Sequence, residues 1–209
     1  MKVAIVGGPG IGKSTLVRQL GDLYHHGSYG EGEQGVWDPR VLADIAAGRN
    51  PVGVTAYFGD LYDANYRDAD GHDGPDKVIF FEGARITLEA HIPEYPAAVH
   101  DELRKVLAIG DRWQPDKVIV LTSSTDTIEK HIRLRARPHE RVEEMVRRFR
   151  LIDAEFCRLA PHYPNTIVIN RDQREFHERE GLCYIIHAAG LPPFREVPYR
   201  MMERYDRVT

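Results

Sequence analysis

Cysteine is nearly missing from this chain: 209 residues hold only two, Cys157 and Cys183. Their spacing suits neither a metal site nor a disulfide framework, so a reducing compartment is the expectation. A basic surplus is missing as well. Lys and Arg total 28 against 32 Asp and Glu, a formal charge of −4. No general positive field therefore advertises nucleic acid, which leaves room only for a local groove. No apolar run approaches membrane-spanning length, and the first residues enter a strand pattern rather than a signal-peptide pattern. A cytoplasmic protein with no membrane partner is expected. Internal repeats and a second compositional zone are absent too. The reading is one domain over residues 1–190, with a tail at 191–209 and length enough for a sizeable core.

What is present is concentrated at the start. Lys2 to Val6 (KVAIV) is a short β-branched run, and Gly7 to Thr15 (GGPGIGKST) follows at once. The spacing G-x-x-x-x-G-K-[ST] is met by Gly7, Gly12, Lys13 and Ser14, with a helical pattern directly after it. Glycines let backbone N–H groups crowd a polyphosphate with no Cβ in the way. The following helix adds its positive N-terminal end. Gly7, Gly8, Gly10, Ile11, Gly12, Lys13, Ser14 and Thr15 thus form a candidate ATP site. Lys13 is placed for the outer phosphates, and the Ser14 hydroxyl for Mg²⁺.

The rest of the chain alternates short apolar strands with helices. Strands are expected at Lys77–Phe81, Lys117–Leu121 and Thr166–Asn170. Helices are expected from Lys13, from Pro39 to about Gly48, from Pro51, over Ala97–Ile109, from Thr127 and over Glu140–Leu159, with a last one near Gly181–Ala189. Asp126 and Glu129 suggest a capping box for the helix at Thr127. His25–Gly35 reads as a mobile loop carrying Glu31 and Glu33, and Arg67–Asp76 as a second loop whose acids miss the calcium pattern. Together these segments predict an α/β fold of the P-loop type: three layers, with a parallel sheet covered by helices on both faces and an arginine-rich lid at about residues 131–140.

Arg133, Arg135 and Arg137, just before Pro138, separate phosphotransferases from other users of such a loop. Moving a phosphoryl group requires cations around its oxygens and the exclusion of water. The bland alternative is a solvated basic face paired with Glu129, Glu140 and Glu143. The guanine-reading pattern of GTPases is not met, since Asn170 is followed by Arg171 and Asp172.

On these residues the chain resembles the deoxynucleoside kinases and, more distantly, the thymidylate kinases, over about Met1–Asn170. KHIRLRARPHE is similar to that family's lid, which implies that Arg135 and Arg137 contact donor phosphates; Arg133 is a further candidate for the ATP site. A stretch from Glu33 through Asp38-Pro39 to TAYFGDLYDAN is similar to the family's acceptor side. That implies Glu33 as general base, with Glu31 two residues away. FFEGAR stands where the family has an acid followed by arginine, so Glu82 implies a role with Mg²⁺ or the acceptor. Gly83 replaces the arginine, and Arg85 arrives later as a candidate clamp for an acceptor anion, with Arg40 as another. Thr55 and Tyr62 stand where the family reads the nucleobase with glutamine and arginine. Trp37, Tyr57, Phe58 and Tyr62 are candidates to stack on a base, or are core.

The expected function is transfer of the ATP γ-phosphate to a deoxynucleoside or deoxynucleotide. A second reading keeps the machinery but takes the hydroxymethyl group of 5-hydroxymethyluracil in DNA, as in phage-type kinases. A nucleotide switch that only hydrolyses ATP is a third. Oligomeric state is left open, a homodimer included.

Overall fold

The computed structural model describes residues 1–31, 38–72, 74, 76–108, 114–135, 141–172, 176 and 178–193. Glu33, Trp37, Arg137, Pro138 and the tail from 194 lie outside these. Five parallel strands form one sheet in the order β2 (Ser28–Tyr29), β3 (Ile79–Glu82), β1 (Lys2–Gly7), β4 (Lys117–Thr122), β5 (Thr166–Asn170). Strands covered on both faces read as continuous apolar runs, and Val3 to Val6 are fully buried. The two-residue period then divides them. Val3 and Ile5 face a core with Leu16, Leu20, Ile119 and Phe149, while Ala4 and Val6 face Ile86, Val120, Ile152 and Phe156. This is the α/β architecture read from the sequence.

The helices are α1 (Lys13–Tyr24), α2 (Pro39–Ala47), α3 (Pro51–His72), α4 (Arg85–His91), α5 (His100–Ala108), α6 (Thr125–Arg135), α7 (Val142–Leu159) and α8 (Arg179–Ala188). Asp38 caps α2 through a bond from the Arg40 N–H at 2.8 Å, Pro39 opens it, and Gly48 closes it in the left-handed conformation.

Four local expectations need correction. His25–Gly35 is not loop throughout, because Ser28 and Tyr29 pair with Phe80 and Phe81 as β2. Two residues are too few for an apolar run; the strand is instead held by the Tyr29 ring stacked on Phe81 at 5.2 Å. The loop expected from Arg67 is helical to His72. Tyr66 and Ala69 are buried there, and the acids that made it look like loop are latches: Tyr29 donates to Asp68 at 2.5 Å, and Lys2 pairs with Asp70. The cap of α6 is Ser124, which accepts from the Thr127 N–H at 3.3 Å, so the helix starts at Thr125 and Glu129 pairs with Arg133 instead. Finally, α4 is a helix with no sequence signal: seven residues with Ile86, Thr87, Leu88 and Ala90 all buried carry too little amphipathic contrast. Among the described residues no helix is long and apolar enough to cross a membrane.

Candidate active site

β1 delivers the chain to the loop at Gly7, and α1 begins at Lys13 with its axis aimed back at the loop. Three elements wall the loop in. A Cβ at Gly8 would strike the Phe149 ring of α7, one at Gly10 would press on Ile132 of α6, and one at Gly12 would collide with the Arg171 guanidinium beyond β5. Gly12 also holds φ at +93°, a conformation that side chains rarely adopt. The loop's glycines are therefore demanded by packing as well as by any phosphate. Lys13 Nζ donates to the Gly8 carbonyl at 3.3 Å, so the ammonium curls over the loop it would share with an anion.

Across the loop mouth, Ser14 Oγ donates to Glu82 Oε1 at 2.8 Å. Glu82 is buried at the carboxyl end of β3, where ligands bind in open parallel sheets. Hydroxyl and carboxylate are hard oxygen donors, and Mg²⁺ characteristically takes one or two of these and fills its octahedron with water and phosphate oxygens. The pair fits that ion. No cluster of three or more His, Cys, Asp or Glu able to hold a metal occurs among the described residues.

Next to Glu82 stands Glu31, just past β2. Burial raises its pKa, and the charge of Glu82 raises it further, while Lys13, a hydrogen bond from Tyr62 and the charge of His91 oppose the rise. The Tyr62 hydroxyl donates to Glu31 Oε1 at 2.5 Å. Burial first, and then Glu31, push the phenol well above its ordinary range, so it remains a donor. Tyr62 reaches Glu31 over Gly83: at φ +105° a Cβ there would lie inside the Tyr62 ring.

The candidates from the sequence divide accordingly. Gly7, Gly8, Gly10, Ile11, Gly12, Lys13, Ser14, Thr15 and Glu82 form one neighbourhood, with Glu31 beside it. Tyr62 is 1% exposed and Thr55 6%. Neither offers a face for a base to stack on or pair with, and Tyr62 serves Glu31 instead. Phe58 packs against the core beneath α3, and Tyr57 meets it edge-on at 5.5 Å while accepting from the Asp38 N–H at 3.5 Å. Arg85 does not join the site: its Nε bonds Glu89 at 2.8 Å, and it lines a separate cleft of about 620 Å³ with Arg104 and Arg158. Arg133 is exposed and paired with Glu129 at 2.6 Å, the bland alternative for that residue. Arg135 ends α6, one turn beyond the Ile132 that packs on Gly10.

No family model and no curated protein sequence matches the chain. Solved structures do. A deoxyadenosine kinase from M. mycoides, described with dCMP and a flexible dCDP bound, superposes with TM-score 0.67 at 15% identity, over 90% of this chain and 97% of that one. The same enzyme with bound dATP gives 0.64 at 15% identity, over 90% and 98%. A thymidylate kinase from Candida albicans gives 0.70 at 11% identity, over 89% and 90%. The chain has the P-loop kinase fold.

On that fold the sequence reading missed one group. Glu94, in the 3-10 turn after α4, accepts from His91 Nδ1 at 2.6 Å and from Arg148 Nε and Nη2 at 2.6 and 3.2 Å. Burial opposes the Glu94 charge, but the bonds from His91 and Arg148 prevail and hold its carboxyl at about 2. Arg148 precedes the Phe149 that seats Gly8, and the charge of His91 reaches Glu31. One half-buried carboxylate thus ties the end of α4 to α7, the helix that seats Gly8. Nothing local marks it, since His91 and Arg148 lie 57 residues apart in the sequence (148 − 91).

Proposed function

We propose that this protein is an ATP-dependent kinase that phosphorylates a hydroxyl group of a nucleoside unit. The observation that carries the reading is the cluster of Lys13, Ser14, Glu82, Glu31 and Tyr62 at the mouth of the phosphate loop. The loop amides and Lys13 hold the β- and γ-phosphates of ATP. Ser14 and Glu82 would hold Mg²⁺, which when bound neutralises charge on the donor oxygens. By the resemblance of the lid sequence to that of the deoxynucleoside kinases, Arg135 and Arg137 would supply further cations to the transferring group. Glu31, rather than Glu33, is assigned as the base. It stands next to Glu82, Tyr62 fixes its orientation, and its raised pKa brings it closer to the neutral range that suits proton acceptance from a hydroxyl.

A hydroxyl is favoured over an acceptor phosphate on electrostatic grounds. Two adjacent carboxylates, Glu31 and Glu82, already strain one another. A phosphate dianion beside them would need a further cation. Arg85 is engaged with Glu89 elsewhere, and Arg40 is exposed on α2 and paired with Asp38. The position next to Glu82 is Gly83.

A second reading is favoured by a specific observation: Thr55 and Tyr62 are buried, so α3 lacks the polar base-reading contacts of the deoxynucleoside kinases. A hydroxymethylpyrimidine flipped from DNA would be positioned by its strand instead. ATP labelled at the γ-phosphate, offered with deoxynucleosides, deoxynucleotides, and DNA with and without 5-hydroxymethyluracil, separates the readings. Label in a nucleoside or in the modified DNA supports a hydroxyl acceptor and names it. Label in a nucleoside diphosphate, or release of inorganic phosphate alone, would overturn it. Lys13→Ala should abolish transfer in every case.

A further inference from the structure

Arg171 follows β5 on the opposite side of the loop from Glu82, and the kinase reading leaves it without a role. Its Nη1 donates to the Ile11 carbonyl, its guanidinium lies over the Phe176 ring at 5.0 Å, and Gly12 leaves it the space it occupies. Phe176 is itself almost fully buried, so the guanidinium rests on a fixed platform. Its own N–H donates to the Thr122 carbonyl at 2.9 Å, which ties the end of β5 to the end of β4.

The carbonyl and N–H of a trans peptide point in opposite directions. The Ile11 carbonyl is drawn outward by Arg171, so the N–H of the same peptide, on Gly12, is aimed inward at the phosphate cradle. A loop amide that can rotate loses its value as a preset anion donor, and an arginine bond to the carbonyl suppresses that rotation at the position just before Lys13. The adjacent residue extends the arrangement to the lid helix. Asp172 accepts from Ser123 Oγ at 2.6 Å and from the Ser124 N–H at 2.7 Å, and Ser124 caps α6. Burial opposes the Asp172 charge, but these bonds keep its pKa below the ordinary carboxylate range. Thus two consecutive residues after β5 grip the phosphate loop and the first turn of the helix that packs on Gly10.

We infer that Arg171 is a positioning residue for the triphosphate site, acting through the Ile11–Gly12 peptide, with Asp172 holding α6 in register beside it. The inference rests on the loop binding a triphosphate, but not on any acceptor. Its ligand chemistry is the polyphosphate itself, independent of the base attached.

The test is titration of the intact protein with inorganic triphosphate and with ATP by calorimetry, alongside thermal melting without ligand. Arg171→Met should weaken both ligands about tenfold, because the Gly12 N–H is no longer held in its preset direction, with the melting temperature of the free protein lowered by no more than a few degrees. Arg171→Lys can reach the carbonyl but cannot lie flat on Phe176. It should fall between the two and at least about threefold below wild type. In turnover assays KM for ATP should rise while KM for the acceptor remains constant. Equal affinity in Arg171→Met and wild type would overturn the assignment. So would a fall in melting temperature accompanied by equal increases in both KM values, because that describes a strut. If Arg171→Met does not fold, Arg171→Lys decides: wild-type affinity overturns the assignment and weakened affinity supports it. Wild-type protein that binds neither ligand refutes the kinase reading instead, which keeps the two failures apart.

Discussion

Replacing Glu94 by Gln removes one charge from the half-buried His91–Glu94–Arg148 cluster and keeps its volume. The Glu94 carboxyl is held at about 2 against an ordinary 4.5. That difference corresponds to about 3 kcal/mol in favour of the charged, folded form. An independent scale agrees: removing one partner of a buried pair typically costs about 3–5 kcal/mol. The Glu94 side chain is 11% exposed but those of His91 and Arg148 are each 30% exposed, so solvent relieves part of the loss and about 2–3 kcal/mol is expected. The sign follows from the depressed value. The contribution is fully present above the unfolded value of about 4.5 and is lost as pH falls through about 2. Urea unfolding from pH 7 to pH 2.5 reads this directly. Wild type should start about 2–3 kcal/mol above Glu94→Gln at pH 7, and the two curves should converge on acidification below about pH 5. A gap under about 1 kcal/mol at pH 7, or one that persists undiminished to pH 2.5, would show that the Glu94 charge does not tie the 3-10 turn after α4 to α7.

Glu31→Gln should slow transfer by about 10²–10⁴-fold with ATP affinity retained, while Glu33→Gln should not slow it comparably; single-turnover rates with labelled ATP distinguish them, and the reverse pattern would return the base to Glu33. Tyr62→Phe removes the bond to Glu31 but keeps the ring over Gly83, so kcat should fall about tenfold with the melting temperature nearly unchanged. A large loss of stability without a change in kcat would make Tyr62 a core residue only.

The donor side was legible because its chemistry is contiguous. GGPGIGKST carries glycines, lysine and serine in one turn, and its neighbours in sequence are the strand and helix that give it meaning. The strands β1, β3 and β4 were legible for a similar reason, since burial on both faces makes each an uninterrupted apolar run, and edge strand β5 still carries the β-branched run Thr166–Ile169. Expectations weakened where a role depends on distant partners. Arg85 and Arg133 each have an acid four residues on or before, and both took that local partner. Nothing near Tyr62 in the sequence signals that its ring lies over Gly83, whose positive φ leaves that space.

By itself the sequence determined the phosphate loop, the alternation of strand and helix, and the P-loop type of fold, because each is written within a window shorter than one element. Tertiary structure decided the surroundings of Glu31 and Glu82. It paired Ser28 and Tyr29 into a strand too short to signal itself, which set Glu31 beside Glu82. It also brought Glu94 to Arg148 and Arg171 to Ile11, contacts that span 54 and 160 residues. Such pairings depend on sheet order and helix packing, and no local pattern encodes them.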